Sequence, residues 1–180
     1  FSSISLEGYF NTINGKSPIS LIFIIVIAPV IEETLFRGII QKPLEKYGKM
    51  LAIVVSSLLF AIYHGNIIQG IYAFICGLLL GFVASEYSLK YSVILHVFNN
   101  LISTIIENKP FTELYKNHFA NTSVMIISAF FAVWYILEKY PVLKNYSKVN
   151  RPIFDGAYRI CLLSLPVILF AVICLLPIFI

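Results

Sequence analysis

The chain has 180 residues, of which 59% are hydrophobic and only 12% are charged, and its mean hydropathy is +0.87. This composition is far from that of an ordinary soluble domain and indicates an integral membrane protein. The formal net charge of +4 is small, and the cations fall between apolar runs, so nothing suggests a nucleic-acid partner.

Six apolar stretches have roughly the length that crosses a bilayer as an α-helix. They are continuously apolar and do not alternate, which favours helices over the strands of a barrel. The sequence therefore predicts an all-α, polytopic transmembrane helix bundle with about six spans. The predicted spans are Ile19–Ile40, Met50–Tyr63, Ile67–Ala84, Tyr91–Ile106, Ser123–Leu137 and Ala157–Ile180.

The chain divides into three predicted parts. Residues 1–18 are mixed in polarity and read as an outer loop or interfacial segment. Residues 19–106 hold four spans, and residues 107–180 add further transmembrane helices to the same domain. A stripe of small residues, Gly70, Gly77 and Gly81, predicts close helix packing on the third span. The prolines of the last part predict kinks or breaks there.

The distribution of cations predicts the orientation of the bundle. Nine Lys and Arg residues fall on the side reached after the first span and three on the other side, so the first side is expected to be cytoplasmic. Residue 1 is then outside, which leads us to expect an odd number of spans upstream of Phe1. The nine are Lys42, Lys46, Lys49, Lys90, Lys139, Lys144, Lys148, Arg151 and Arg159.

Charged residues interrupt the first apolar run at Glu32, Glu33 and Arg37. Charges within a span are costly and usually have a function. Glu33 and Arg37 are four residues apart and share a helix face, so they are expected to pair, whereas Glu32 points about 100° away. The alternative is a helix end in the headgroup region, with the Arg37 side chain extending to water.

The second and fourth spans carry polar residues at the same spacing of four. Phe60 and His64 share one face of the second span, and His96 and Asn100 share one face of the fourth. Asn99 leaves the His96 face by one position and is interpreted as lying outside any site. An interfacial turn at His64 and simple hydrogen bonding between helices at His96 and Asn100 are the alternatives.

Together these residues supply the groups that amide hydrolysis requires: a base for water, an acid for the leaving amine and donors for the oxyanion. The predicted span ends set Glu32 and His96 at moderate depth. His64, however, is predicted nearer the outer end of its span.

Three motifs carry a resemblance to a known family. The chain has Glu32-Glu33-Thr34-Leu35-Phe36-Arg37, then Phe60 with His64 four residues later, then His96 with Asn100 four residues later. In this order they resemble the EExxxR, FxxxH and HxxxN motifs of the CAAX prenyl proteases and their bacteriocin-processing relatives, also called the Abi family. The resemblance covers about Ser20 to Ile105.

The resemblance implies an intramembrane endopeptidase whose catalytic membrane domain is residues 19–106. It implies that Glu32 activates water with help from His64, and that His96 and Asn100 hold the oxyanion. Glu33 supports the site, while Arg37 and Phe60 assist it. No metal or other cofactor is implied, and the expected partners are a peptide or protein substrate and the lipid bilayer.

The Ile, Lys and Asn bias of the sequence suggests a bacterial plasma membrane protein. A bacteriocin or pheromone leader peptide, or a role in self-immunity, is then expected rather than a prenylated substrate. Three alternatives stay open. They are a metal-dependent hydrolase with Glu32, His64 and His96 as ligands, a non-catalytic peptide-binding immunity protein, and a proton-relaying transporter.

Overall fold

The computed structural model of the protein describes residues 18–107 and 137–179, and every regular element in these ranges is a helix. The all-α prediction is confirmed for this part of the chain. The predicted outer segment, apart from Pro18, and the predicted span Ser123–Leu137, apart from Leu137, lie outside the described residues.

The described residues form seven helices. Helix α1 covers residues 18–47 without interruption. The others are α2 (Lys49–Tyr63), α3 (Ile67–Glu86), α4 (Leu89–Glu107), α5 (residues 137–149), α6 (Ala157–Leu162) and α7 (Leu165–Phe179).

Helix α1 changes its winding along its length. It contains two π-helical segments, Phe23–Ile27 and Thr34–Gln41, and ends in a 3₁₀ turn at Glu45–Tyr47. Each π segment carries a backbone carbonyl that accepts a hydrogen bond from another helix. Asn100 Nδ2 donates to the Ile24 carbonyl at 3.0 Å, and Ser56 Oγ donates to the Phe36 carbonyl at 2.9 Å. Such segments are frequent at functional sites.

Two described helices are long and apolar enough to cross a membrane, judged by length and composition alone: Ile19–Tyr47 and Gln69–Glu86. The sequence predicted about six. Helix α2 has only 15 residues, or about 22 Å at 1.5 Å per residue, so it is shorter than a bilayer core. Helix α4 contains charged and amide residues that lower its hydropathy. The predicted number of about six spans is therefore not matched by the described helices, of which two pass this test.

The predicted last span is divided in two. Helix α6 ends at Leu162 and α7 begins at Leu165, with Ser164 Oγ donating to the Cys161 carbonyl at 2.7 Å between them. Pro166 lies at the start of α7, where its missing N–H leaves no helical bond unmade. The predicted break near the prolines is confirmed at this point.

The turn between α1 and α2 sets the two helices in register. Because α1 continues to Tyr47 instead of ending at Ile40, Glu32 lies 15 residues before the turn and His64 lies 15 residues after Lys49. The antiparallel helices bring Glu32 and His64 to the same cavity. His64 caps the C-terminal end of α2, so the prediction that it lies near the end of its span is confirmed. The predicted end of the first helix at Ile40 was wrong, because this helix continues to Tyr47.

Gly48 makes this turn possible. Its φ is +128°, a conformation that side-chain-bearing residues rarely adopt, and a Cβ there would lie 2.8 Å from the Arg151 carbonyl oxygen. Gly48→Ala is expected to lower the free energy of unfolding by at least about 2 kcal/mol, since backbone strain and overpacking each cost about 1–3 kcal/mol. Unfolding of purified protein in mixed micelles measures the change.

Gly38→Ala is the matched control. Gly38 is helical, and an added Cβ would meet only Leu89 at an ordinary 3.7 Å. Its effect is expected to stay within about 1 kcal/mol of zero. Equal effects of the two substitutions would contradict the role given to Gly48.

Glycines on α3 allow close packing, as predicted. A Cβ on Gly77 would lie 3.0 Å from Ser57 Cβ on α2, and one on Gly81 would lie 2.8 Å from Gln41 Oε1 on α1. Gln41 is buried and donates through Nε2 to the Gly81 carbonyl at 2.8 Å. Helix α3 is thereby held against both α1 and α2.

Basic residues cluster at the end of the bundle where α1 meets α2. Lys49 pairs with Glu86 at 2.8 Å, and Tyr146 of α5 donates to the same carboxylate at 2.8 Å. Burial, together with this hydrogen bond, raises the pKa of the Tyr146 hydroxyl above its ordinary value, so the hydroxyl stays a donor. Helix α5, which carries Lys139, Lys144 and Lys148, therefore lies at the same end of the bundle as Lys49.

Candidate active site

Glu33 and Arg37 form a buried pair on α1. Glu33 is 0% exposed and Arg37 is 2% exposed, and Arg37 Nε lies 3.2 Å from Glu33 Oε2. Arg37 also donates from Nη1 to Ser56 Oγ at 2.6 Å, and its guanidinium lies over the Phe60 ring at 5.1 Å. The predicted pairing of Glu33 with Arg37 is confirmed, and Phe60 takes part in holding the cation.

Glu33 is further tied to α4. Ser92 Oγ donates to Glu33 Oε2, and His96 Nδ1 lies 3.1 Å from Glu33 Oε1. A carboxylate can only accept, so the proton of this second bond sits on His96 Nδ1. All oxygen atoms of Glu33 are thus occupied by groups of the protein, and the carboxylate fixes the ring of His96.

Glu32 faces a cavity of about 590 Å³ between α1, α2, α3 and α4. Its side chain is 18% exposed, and Oε2 lies 3.6 Å from His96 Nε2. No other carboxylate among the described residues lines this cavity. The prediction that Glu32 and Glu33 point in different directions is confirmed: one side chain is enclosed and the other opens to the cavity.

His64 enters the same cavity from the end of α2. Its Nδ1 lies 2.8 Å from the Phe60 carbonyl, which can only accept, so Nδ1 carries the proton and Nε2 is the basic nitrogen of the neutral ring. The Phe60 ring supports both histidines edge-on, at 4.7 Å from the His64 centroid and 5.7 Å from the His96 centroid. Phe60 thereby sets the separation of the two imidazoles.

Both asparagines of α4 line the cavity. Asn100 donates to the Ile24 carbonyl, which fastens α4 to α1. Asn99, interpreted from the sequence as outside the site, is also in the cavity wall and accepts a hydrogen bond from the Tyr72 hydroxyl at 2.8 Å. That interpretation of Asn99 was wrong, because Asn99 follows His96 by three residues and so lies beside it on the helix surface.

Sequence reasoning missed Ser56 and Ser92, which complete the buried network. Each lies four residues before a motif residue, so the stripes are Ser56-Phe60-His64 on α2 and Ser92-His96-Asn100 on α4. Extending each stripe by one helical turn would have identified both serines. Tyr72 gave no comparable signal, since it lies on α3, where no motif falls.

The described residues contain no group of three or more His, Cys, Asp or Glu side chains arranged to hold a metal ion. Glu32, His64 and His96 line one cavity, but they are not gathered around one point. The three-ligand arrangement considered from the sequence therefore has no counterpart in the part of the chain that the structure describes.

The described helices are apolar and enclose a cavity with a carboxylate and two imidazoles, which defines an all-α protein with a polar internal site. The family model for Rce1-like, type II CAAX prenyl endopeptidases matches residues 14–102. This segment includes Glu32, Glu33, His64, His96 and Asn100, and over it the chain belongs to that family of membrane-embedded proteases. The resemblance drawn from the three motifs is confirmed. No curated protein and no solved structure matches the chain.

Proposed function

We propose that the protein is an intramembrane endopeptidase that hydrolyses a peptide bond with a water molecule activated by Glu32. The observation that carries this proposal is that Glu32 is open to the cavity whereas Glu33 is fully buried. Glu33 is bonded on all sides by Arg37, Ser92 and His96, whereas Glu32 opens to the cavity. Glu32 is therefore the carboxylate that can reach a water molecule beside a bound peptide.

Glu32 takes the proton of the attacking water and later returns it, and His64 orients that water by accepting its second O–H at Nε2. A water molecule between them gives a proton to Glu32 as its oxygen bonds to the carbonyl carbon of the peptide. His64 presents Nε2 to the cavity because Nδ1 is bonded to the Phe60 carbonyl. The proton taken from water is delivered to the amine nitrogen as the carbon–nitrogen bond breaks.

His96 and Asn100 stabilise the oxyanion of the tetrahedral intermediate. Glu33 accepts the Nδ1–H of His96, and Nε2 points toward Glu32 and the cavity, where it donates to the oxyanion when the ring carries a proton on both nitrogens. Asn100 uses one amide N–H on the Ile24 carbonyl and keeps the other for the oxyanion. Donors fixed in place before reaction are the most effective form of such stabilisation.

The proposed substrate is a membrane-associated or leader peptide, as in bacteriocin or pheromone maturation or in self-immunity. The proposed location is the bacterial plasma membrane, with the basic end of the bundle in the cytoplasm. Lys46 and Lys49 flank the turn between α1 and α2, and Arg151 lies against Gly48 of the same turn, which supports this orientation.

Mass spectrometry of peptides from cells tests the proposal. Cells carrying the native protein are compared with cells carrying Glu32→Ala, and Glu138→Ala serves as control because Glu138 is an exposed residue paired only with its neighbour Lys139. We expect peptides that are trimmed with the native protein and the control but intact with Glu32→Ala. Identical peptide sets in all three would contradict the proposal. Full biological function of Glu32→Ala would favour peptide binding without cleavage.

A further inference from the structure

Tyr72 on α3 and Asn99 on α4 form a bonded pair in the wall of the cavity that Glu32 faces. The Tyr72 hydroxyl donates to Asn99 Oδ1 at 2.8 Å. Tyr72 is 53% exposed, so the pair lies at the open part of the cavity and not in the packed core. Neither residue is at a specified position of the three motifs, since Asn99 falls on an unspecified position of HxxxN and Tyr72 lies on another helix.

This bond determines which end of the Asn99 amide is left for other partners. A side-chain amide has one acceptor oxygen and two N–H donors. The oxygen of Asn99 is held by Tyr72, and within the described residues its Nδ2 makes no hydrogen bond. Asn100 differs, because its Nδ2 already donates to the Ile24 carbonyl.

A peptide that enters a cavity within the membrane brings carbonyl groups that have left water. Each unsatisfied polar group in such surroundings costs several kcal/mol, so the cavity must offer donors to the peptide backbone. The side chain of Asn99 offers two N–H groups at the cavity wall. The group that fits them is a carbonyl of an extended peptide.

We propose that Asn99 binds a backbone carbonyl of the substrate peptide, and that Tyr72 is the positioning residue that orients its amide for this contact. The inference rests on the proposed peptidase function and adds to it a subsite outside the specified positions of the motifs. Since every peptide has backbone carbonyls, the subsite contributes to affinity and does not select a sequence.

The test uses three variants in purified protein. Asn99→Leu removes the amide, Tyr72→Phe removes the hydroxyl, and Asn99→Asp keeps the acceptor for Tyr72 while removing the N–H donors. The probe is a synthetic copy of a peptide whose trimming in cells depends on Glu32. Asn145→Leu and Tyr91→Phe are the controls, because both residues are exposed and lie outside the cavity.

We expect Asn99→Leu and Asn99→Asp to raise KM about tenfold and Tyr72→Phe to raise it about threefold, with kcat nearly unchanged and the controls like the native protein. Tyr72→Phe is expected to add nothing in the Asn99→Leu background, since Tyr72 acts through Asn99. A merely structural pair would leave Asn99→Asp with native kinetics, because the bond between α3 and α4 is kept.

The possible results separate the two proposals. If no peptide in cells depends on Glu32, the proposed function fails and the subsite fails with it. If such peptides exist but Asn99→Leu and Asn99→Asp cleave the probe with native KM, only the subsite is overturned. Equal thermal unfolding of native and variant proteins in detergent shows that a KM change reflects binding and not loss of folded protein.

Discussion

Glu32→Gln is expected to lower kcat for peptide cleavage by a factor of roughly 100 to 10,000, the usual contribution of a positioned general base. The amide has the shape of the carboxylate but cannot accept the proton of the attacking water. Because the Glu32 side chain is 18% exposed at the cavity, the substitution leaves no charge buried without a partner. KM and the thermal unfolding temperature are expected to change little.

The matched control for this prediction is Glu138→Gln. Glu138 lies on α5 with 45% of its side chain exposed, and it pairs with Lys139 at 2.6 Å. This change should leave kcat as in the native protein. A Glu32→Gln protein that is folded and cleaves at the native rate would remove Glu32 from the chemistry.

Arg37→Met is expected to reduce the free energy of unfolding by about 3–5 kcal/mol, the cost of removing one partner of a buried ion pair. The change would leave the fully buried Glu33 carboxylate without its cation and Ser56 Oγ without its donor. Glu33, which holds His96 through Nδ1, would also lose its fixed position, so the rate of cleavage should fall steeply. Unfolding of purified protein by denaturing detergent in mixed micelles measures the stability.

Lys139→Met provides the comparison for Arg37→Met, since it breaks an exposed pair that contributes only about 0–1 kcal/mol. A double variant, Glu33→Gln with Arg37→Met, removes both charges and should regain much of the lost stability while remaining poorly active. If Arg37→Met lowered the free energy of unfolding no more than Lys139→Met does, the ion pair of Glu33 with Arg37 would not stabilise the site.

The spacing of residues in the sequence predicted the relations within each helix. The pairing of Glu33 with Arg37, the separate direction of Glu32 and the shared faces of Phe60 with His64 and of His96 with Asn100 all follow from 3.6 residues per turn. These relations are local, so they do not depend on how the helices pack. The order of the three motifs also identified the family, whose model matches residues 14–102.

The contacts between different helices could not be predicted from residue spacing in the sequence. The length of α1 depends on residues 42–47, which are polar enough to suggest that the helix has ended, yet the helix continues to Tyr47. That difference of seven residues, about two turns, helps to bring His64 into the same cavity as Glu32. The bond from Tyr72 to Asn99 likewise depends on how α3 lies against α4, which no spacing within one helix reveals.

The measurement that tests the central claim most directly is a single turnover in heavy-oxygen water. Purified protein in lipid vesicles, treated with a strong chelator and shown to be free of metal, is supplied with less than one equivalent of a peptide substrate. Direct attack by a Glu32-activated water predicts heavy oxygen in the new carboxyl group of the product, none in the protein, and cleavage by Glu32→Gln that is at least about 100-fold slower. Heavy oxygen in the Glu32 side chain, loss of activity that only added metal restores, or cleavage by Glu32→Gln at the native rate would contradict it.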